Sequence, residues 1–199
     1  MSHFTVMVIG EDPEGQLEPF SEHIELPRYK VGKVSFEELS RFVEHYAPQH
    51  LDEKITTEEL YKLHGVDWNG NMWKKNSDGN WDEWSTYNPN SKWDWYQLGG
   101  RWSGRIQLKE GATSGTVGAA GVFGNEIGID QALLGEIANI NELTTFAVLK
   151  DGEWFEQGQM GWFGMSSNDK NEEDWEAEVR SLLEGLPDDT LISMYDCHI

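Results

Sequence analysis

The stretch His3-Phe4-Thr5-Val6-Met7-Val8-Ile9 is apolar and largely β-branched, and Gly10 stops it. Such a run reads as a buried strand. A second apolar strand follows at residues 191–199 and ends Asp196-Cys197-His198-Ile199. Between them the clearest hairpin spans residues 144–157, with Asp151-Gly152 as the turn, because Asp-Gly supplies the positive dihedrals that a two-residue connection needs. Strands at both ends, a central hairpin and helices between them predict an α+β fold. The expected sheet is mostly antiparallel or mixed, with helices packed on one face.

The helices announce themselves by their caps. Ser35 opens a capping box with Glu38, and Phe36, Leu39, Phe42, Val43 and Tyr46 recur at helical spacing until Pro48. Thr56 and Glu59 repeat the signal before Leu60 and Leu63, and Gly65 ends that helix. Asn171 caps the last helix, whose buried stripe is Trp175, Val179, Leu182, Leu183 and Leu186. Ala132, Leu133, Ile137 and Ile140 predict one more helix over residues 130–140. Residues 11–27 read as an acidic loop. Six glycines between positions 110 and 128 suggest a long mobile loop, a lid in form. Residues 66–92, rich in Asn, Asp, Gly and Trp, predict turns and short hairpins pinned by aromatic side chains. The whole chain reads as one domain over 1–199, with a Trp-rich insertion at 66–92 and a Gly-rich loop at 110–128.

Charge narrows the function classes. The chain carries 36 acidic against 15 basic residues, a formal net charge of −21, which argues against a phosphate-backbone footprint on nucleic acid. The segment from Asp67 to Arg105 escapes this surplus, with five acids and five bases, and it holds seven of the ten tryptophans. No apolar run approaches a membrane span, and the opening residues lack the pattern of a signal peptide, so a cytoplasmic protein with no membrane association is expected. The single cysteine, Cys197, agrees with a reducing compartment.

Within the neutral segment, residues 93–105 read Trp-Asp-Trp-Tyr-Gln-Leu-Gly-Gly-Arg-Trp-Ser-Gly-Arg. Tryptophan and arginine planes can sandwich a base, at about 1 to 3 kcal/mol per stacked base. Gly99 and Gly100 would let backbone amides approach a phosphate, which Arg101 or Arg105 could clasp. Alternation puts Trp93, Trp95 and Gln97 on one strand face, and after the glycines it puts Arg101, Ser103 and Arg105 on the open face opposite Trp102. The candidate ligand-binding residues are therefore Trp93, Trp95, Tyr96, Gly99, Gly100, Arg101, Trp102, Ser103 and Arg105. The alternative for the same residues is structural: core tryptophans and a glycine bulge.

Other constellations are thinner. Asp196, Cys197 and His198 contain the residue types of a nucleophilic triad, but on a strand Cys197 points away from its neighbours. Alternation does bring Asp196 and His198 together, and His3 on a neighbouring strand could join them as metal ligands or as an acid/base pair. His23, His45, His50 and His64 show no metal-ligand spacing. A hydrolase pair such as Asp82 and Asp94 is one choice among many acids. No cofactor and no metal site is expected.

Met1-Ser2-His3-Phe4-Thr5-Val6-Met7-Val8-Ile9-Gly10, Lys92-Trp93-Asp94-Trp95-Tyr96, Gly99-Gly100-Arg101-Trp102-Ser103-Gly104, Asp130-Gln131-Ala132, residues 145–152 and the closing Asp196-Cys197-His198-Ile199 together resemble an uncharacterised family of bacterial and tailed-phage proteins. The resemblance implies a phage or mobile-element setting, in a host cytoplasm, where small accessory proteins often counter host defence. With the aromatic block, it leads to the expectation of a non-enzymatic binding protein that sequesters a nucleotide-derived small molecule, a host defence signal. An acidic, nucleic-acid-mimicking inhibitor of a host defence enzyme is the alternative. A phosphodiesterase-like hydrolase is the third reading, and a homodimer with a shared site is compatible with all three.

Overall fold

A computed structural model describes residues 2–50, 54–65, 71–120, 127–161 and 164–199. In chain order the elements are β1 (His3–Ile9), α1 (Pro13–Leu17), β2 (Tyr29–Lys33), α2 (Phe36–Tyr46), α3 (Thr57–His64), β3 (Met72–Lys75), β4 (Trp81–Ser85) and β5 (Trp95–Gly100). There follow β6 (Thr116–Val117), β7 (Ala119–Ala120), β8 (Ile129–Leu133), β9 (Ala147–Lys150), β10 (Glu153–Glu156), β11 (Gln159–Met160), β12 (Ser166–Ser167), α4 (Glu172–Leu183) and β13 (Leu191–His198). The class is α+β, as the pattern predicts.

The chain divides into two compact units. One comprises residues 1–22 and 90–199, and the other is the contiguous segment 23–89. The second unit runs from His23 to Pro89. The first unit carries 24 acidic and 7 basic residues, so most of the negative surplus is its own.

The first unit is built on an eight-stranded mixed sheet, ordered β10-β9-β1-β13-β5-β7, with β8 also pairing β13 and β6 pairing β8. β13 is its spine. It lies antiparallel to β1 along seven residue pairs, while its other edge is shared between β8 at Leu191–Ser193 and β5 at Tyr195–His198. β1 and β13 read as near-continuous apolar runs because both of their faces are covered. One face packs Phe4, Val6, Val8, Tyr195 and Cys197 against Leu17 of α1 and Trp93. The other packs Met7, Ile9, Ile192 and Met194 against Trp175 and Val179 of α4. The helices α1 and α4 thus serve opposite faces. The short α1, within the expected loop at 11–27, is capped by Asp12, whose side chain accepts the Gly15 amide.

The hairpin β9–β10 forms as expected, with Asp151 at φ 53° and Gly152 at φ 77°. Residues 130–140 correct the sequence reading. Instead of a helix, Ile129–Leu133 is strand β8, followed by a short 3-10 turn at Leu134–Glu136. Ala132 is buried by a strand paired to β13 and Ile137, beyond the 3-10 turn, by a bridge to Leu108, so tertiary pairing overrides the helical spacing. The Gly-rich segment is also tied down over its described part: Glu136 accepts the Thr113 and Ser114 amides, and Ser114 Oγ accepts the Leu133 amide. Residues 121–126 of the expected lid lie outside the described residues.

In the second unit, β2, β4 and β3 form an antiparallel sheet. Asn76 Oδ1 accepts the Asp78 and Asn80 amides to close the β3–β4 turn. Phe42, Tyr46, Tyr61, Trp73 and Trp81 interlock as an aromatic cluster, with Tyr61 and Trp73 stacked at 5.4 Å. Both expected capping boxes are present, at Ser35/Glu38 and Thr56/Glu59. The hydrogen bonds from Ser35 and Thr56 hold the two glutamates below the usual carboxylate range. A carboxyl lowered on folding contributes stability that is present above its unfolded pKa and lost as pH falls through its folded one. Nuclear magnetic resonance titration is expected to give both carboxyls midpoints below that of a free glutamate, with amide protection in α2 and α3 falling on acidification. Midpoints at the free value would show that the boxes do not form.

Candidate functional site

The face of the main sheet that carries α4 changes character along its length. Register places His3 of β1 opposite His198 of β13, and His198 opposite Trp95 of β5. One pair further in, Thr5, Asp196 and Gln97 align. These residues share the face of Met7, Ile9, Ile192 and Met194, since alternate strand residues point the same way. The face is therefore apolar under α4 and polar at its other end.

Two histidine–aspartate dyads occupy that end. His3 Nδ1 donates to Asp196 Oδ1 at 2.8 Å, and His198 Nδ1 donates to Asp94 Oδ1 at 2.5 Å. The imidazoles meet edge to face with centroids 4.9 Å apart, and Trp95 stands edge-on to His3 at 6.1 Å. A carboxylate on Nδ1 fixes the ring and leaves Nε2 for other work. His198 Nε2 is covered from solvent and has no hydrogen-bond partner among the described residues. A buried polar atom left unpaired costs roughly 1 to 3 kcal/mol. Among the described residues, no three His, Cys, Asp or Glu side chains are grouped to hold a metal ion.

Next to the dyads lies a turn at residues 101–104 that is bound by two buried carboxylates. Asp196, 1% exposed, accepts the Arg101 amide through Oδ2 at 3.0 Å. Asp130, 0% exposed, accepts Ser103 Oγ at 2.6 Å, the Gly104 amide at 2.8 Å and the Gly118 amide at 3.1 Å. Burial pushes the Asp130 carboxyl up from its ordinary value, and these hydrogen bonds draw it part of the way back. The amides around the glycine pair thus do bind anions, but the anions are the protein's own aspartates. Gly99 and Gly100 are needed because the carboxylates pass directly over them: a Cβ would lie 2.3 Å from Asp130 Oδ2 and 2.4 Å from Asp196 Cβ, respectively.

The candidate residues of the 93–105 block consequently separate. Trp93 is buried in the opposite core, where its Nε1 donates to Leu17 O and its ring packs edge-on to Tyr96. β5 begins only at Trp95, so the alternation expected to align Trp93 with Trp95 does not reach back to Trp93. Trp95 is 43% exposed. Arg101, Trp102 and Ser103 are half-buried in the turn, which replaces the expected continuing strand. Arg105 extends away to donate from Nη1 to Thr144 Oγ1 at 3.2 Å. None of the nine residues lines the cavity of about 140 Å³ beside α4 or that of about 200 Å³ near Lys92.

Cys197 sits fully buried on the face opposite Asp196 and His198, and burial raises its thiol well above the ordinary value. It has no nucleophilic part here. Asp82 and Asp94 fall in different units, with Asp82 engaged by Lys30 at 2.8 Å. Asp94, considered from the sequence only as one of many acids in a pair with Asp82, is the partner of His198 instead, and Asp130 is the site residue that sequence reasoning passed over. An acid buried at 0% exposure between Ile129 and Ala132 gives no signal of its own in the sequence. Compared with protein-family models, with curated proteins and with solved structures, the chain matches none.

Proposed function

We propose that the protein binds a nucleotide-derived small molecule at the polar end of the main sheet, with Trp95 as the platform for the base and the His3–His198 pair as polar contacts. The observation that carries this reading is the position of Trp95, 43% exposed and edge-on to His3, in register with His198. Exposed tryptophan beside a polar cluster is the ordinary equipment for holding a base. The acidic body disfavours long polyanions and leaves a ligand of few charges. The resemblance to phage proteins adds the setting: the ligand is a host defence signal, and binding withdraws it.

Calorimetry with cyclic nucleotides and ADP-ribose derivatives tests this. A hit is expected, and Trp95→Ala is expected to weaken it by about 1 to 3 kcal/mol, the value of one stacked base. A panel without a single binder, or a hit indifferent to Trp95→Ala, would overturn the reading. A second reading has its own observation, the 24 acidic against 7 basic residues of the first unit: this surface suits a basic groove on a host defence enzyme. Pull-downs at rising salt separate the two, since an electrostatic partner is lost early.

A further inference from the structure

We infer that the cavity between α4 and residues 140–145 binds a small aromatic amine in its ammonium form, with the ring enclosed by an apolar wall and the charge held at an acidic mouth. This is a second place on the molecule, sharing no residue with Trp95 and the histidine pair.

The cavity holds about 140 Å³. Packed interiors leave few voids larger than a water molecule, so a space of this size beside the core exceeds an ordinary packing gap. An apolar cavity of about 150 Å³ takes up benzene, which sets the capacity here at one six-membered ring. The inner wall is Leu143, Trp175 and Val179, all buried, joined by the half-buried Ile140 and Leu183. Trp175 is held by the hydrogen bond from its Nε1 to Thr145 O at 2.6 Å. Its indole is thus a fixed partner for a second ring, and aromatic pairs gain beyond the area they bury. That favours an aromatic guest over an aliphatic one.

The outer wall is acidic. Glu142, at the end of the 3-10 turn Ile140–Glu142, and Glu172, the first residue of α4, are exposed there, and Glu176 lies one turn further along the helix. The cations close by are already engaged: Arg180 with Glu176 at 3.4 Å, Lys170 with Glu178 at 2.7 Å, and Arg105 with Thr144 Oγ1 at 3.2 Å. An incoming cation therefore meets Glu142 and Glu172. The surplus of 24 acidic over 7 basic residues in this unit works in the same direction, drawing cations to a cleft and repelling anions. A ring joined to an ammonium group by one or two carbons satisfies both walls at once.

The test titrates benzylamine and 2-phenylethylamine into the native protein and follows the methyl resonances of Leu143, Val179 and Leu183 by nuclear magnetic resonance. Benzyl alcohol and benzoate serve as the neutral and anionic counterparts of similar shape. Saturable shifts at those methyls are expected for both amines, with Kd about 0.1 to 1 mM, the range for a guest of so few atoms. Benzyl alcohol should bind about tenfold more weakly, the worth of two partly exposed ion pairs, and benzoate should leave the methyls unmoved. Added salt should weaken the amines alone. Glu142→Gln combined with Glu172→Gln, both at exposed positions, should bring the amines to the affinity of the alcohol. Val179→Phe, which fills the cavity, should abolish binding of amine and alcohol alike, with thermal melting to show that it is folded. The comparison of the ligands on the native protein stands without any variant. No saturable shift with either amine, benzoate bound as well as benzylamine, or amines indifferent to the double variant would each overturn the inference.

Discussion

Replacing Gly100 by alanine is expected to destabilise the fold by about 3 kcal/mol, the sum of a left-handed backbone imposed on an L-residue and overpacking against a buried wall. Gly100 sits at φ 58°, and the added Cβ would lie 2.4 Å from Asp196 Cβ and 2.5 Å from its Oδ2. Neither contact can relax cheaply. The Asp196 Cβ belongs to the central strand β13, and the carboxylate is held by His3 and by the Arg101 amide. Shortening Asp196 to alanine leaves its Cβ in place, so the Gly100 clash is expected to survive that change. Denaturant unfolding measures both, and a Gly100→Ala variant within about 0.5 kcal/mol of the native protein, the range of innocuous surface changes, would show that the carboxylate does not lie over the turn.

Asp130→Ala is expected to cost about the same, on the order of 3 kcal/mol, because it strands the Ser103 hydroxyl and the Gly104 and Gly118 amides. Relief of a buried charge offsets part of the loss at neutral pH. The sign of the pH dependence follows from the raised carboxyl. A carboxyl whose folded pKa lies above its unfolded one contributes stability that is full below the unfolded value and fades as pH rises through the folded value. The deficit of the variant should therefore be larger in acid than at neutral pH. Gly99→Ala provides the coupling test, since its Cβ would meet Asp130 Oδ2 at 2.3 Å. In the double variant that obstacle is gone, and the two losses should add to less than their sum. Strict additivity would place Asp130 elsewhere.

These variants also mark where reading residues in order stops being enough. Caps, hairpin turns and the stripe of α4 are local, and Ser35, Thr56, Asn171 and Asp151-Gly152 declared them with the correct residues. β8 was hidden because Ala132, Leu133, Ile137 and Ile140 recur at helical spacing, and only the pairing of Gln131–Leu133 with β13 decides. Alternation correctly grouped Asp196 with His198 and allowed His3 beside them. The partner of His198, however, is Asp94, 104 residues away, which the sequence offered only as one acid among many. The glycine pair was legible as an anion-binding turn. That the anions are side chains of β8 and β13 depends on contacts between distant strands, which composition does not encode.

His3 and Asp196 are separated by 193 residues, and among the described residues β1 borders β9 and β13 alone. During synthesis the first strand therefore emerges long before either neighbour exists. The segment 23–89 is contiguous and can close on itself in the interval, whereas β1 waits as an apolar strand with both edges unpaired, the condition in which chains associate wrongly. The histidine pair, assembled from β1 and β13, comes into being only when those two strands pair.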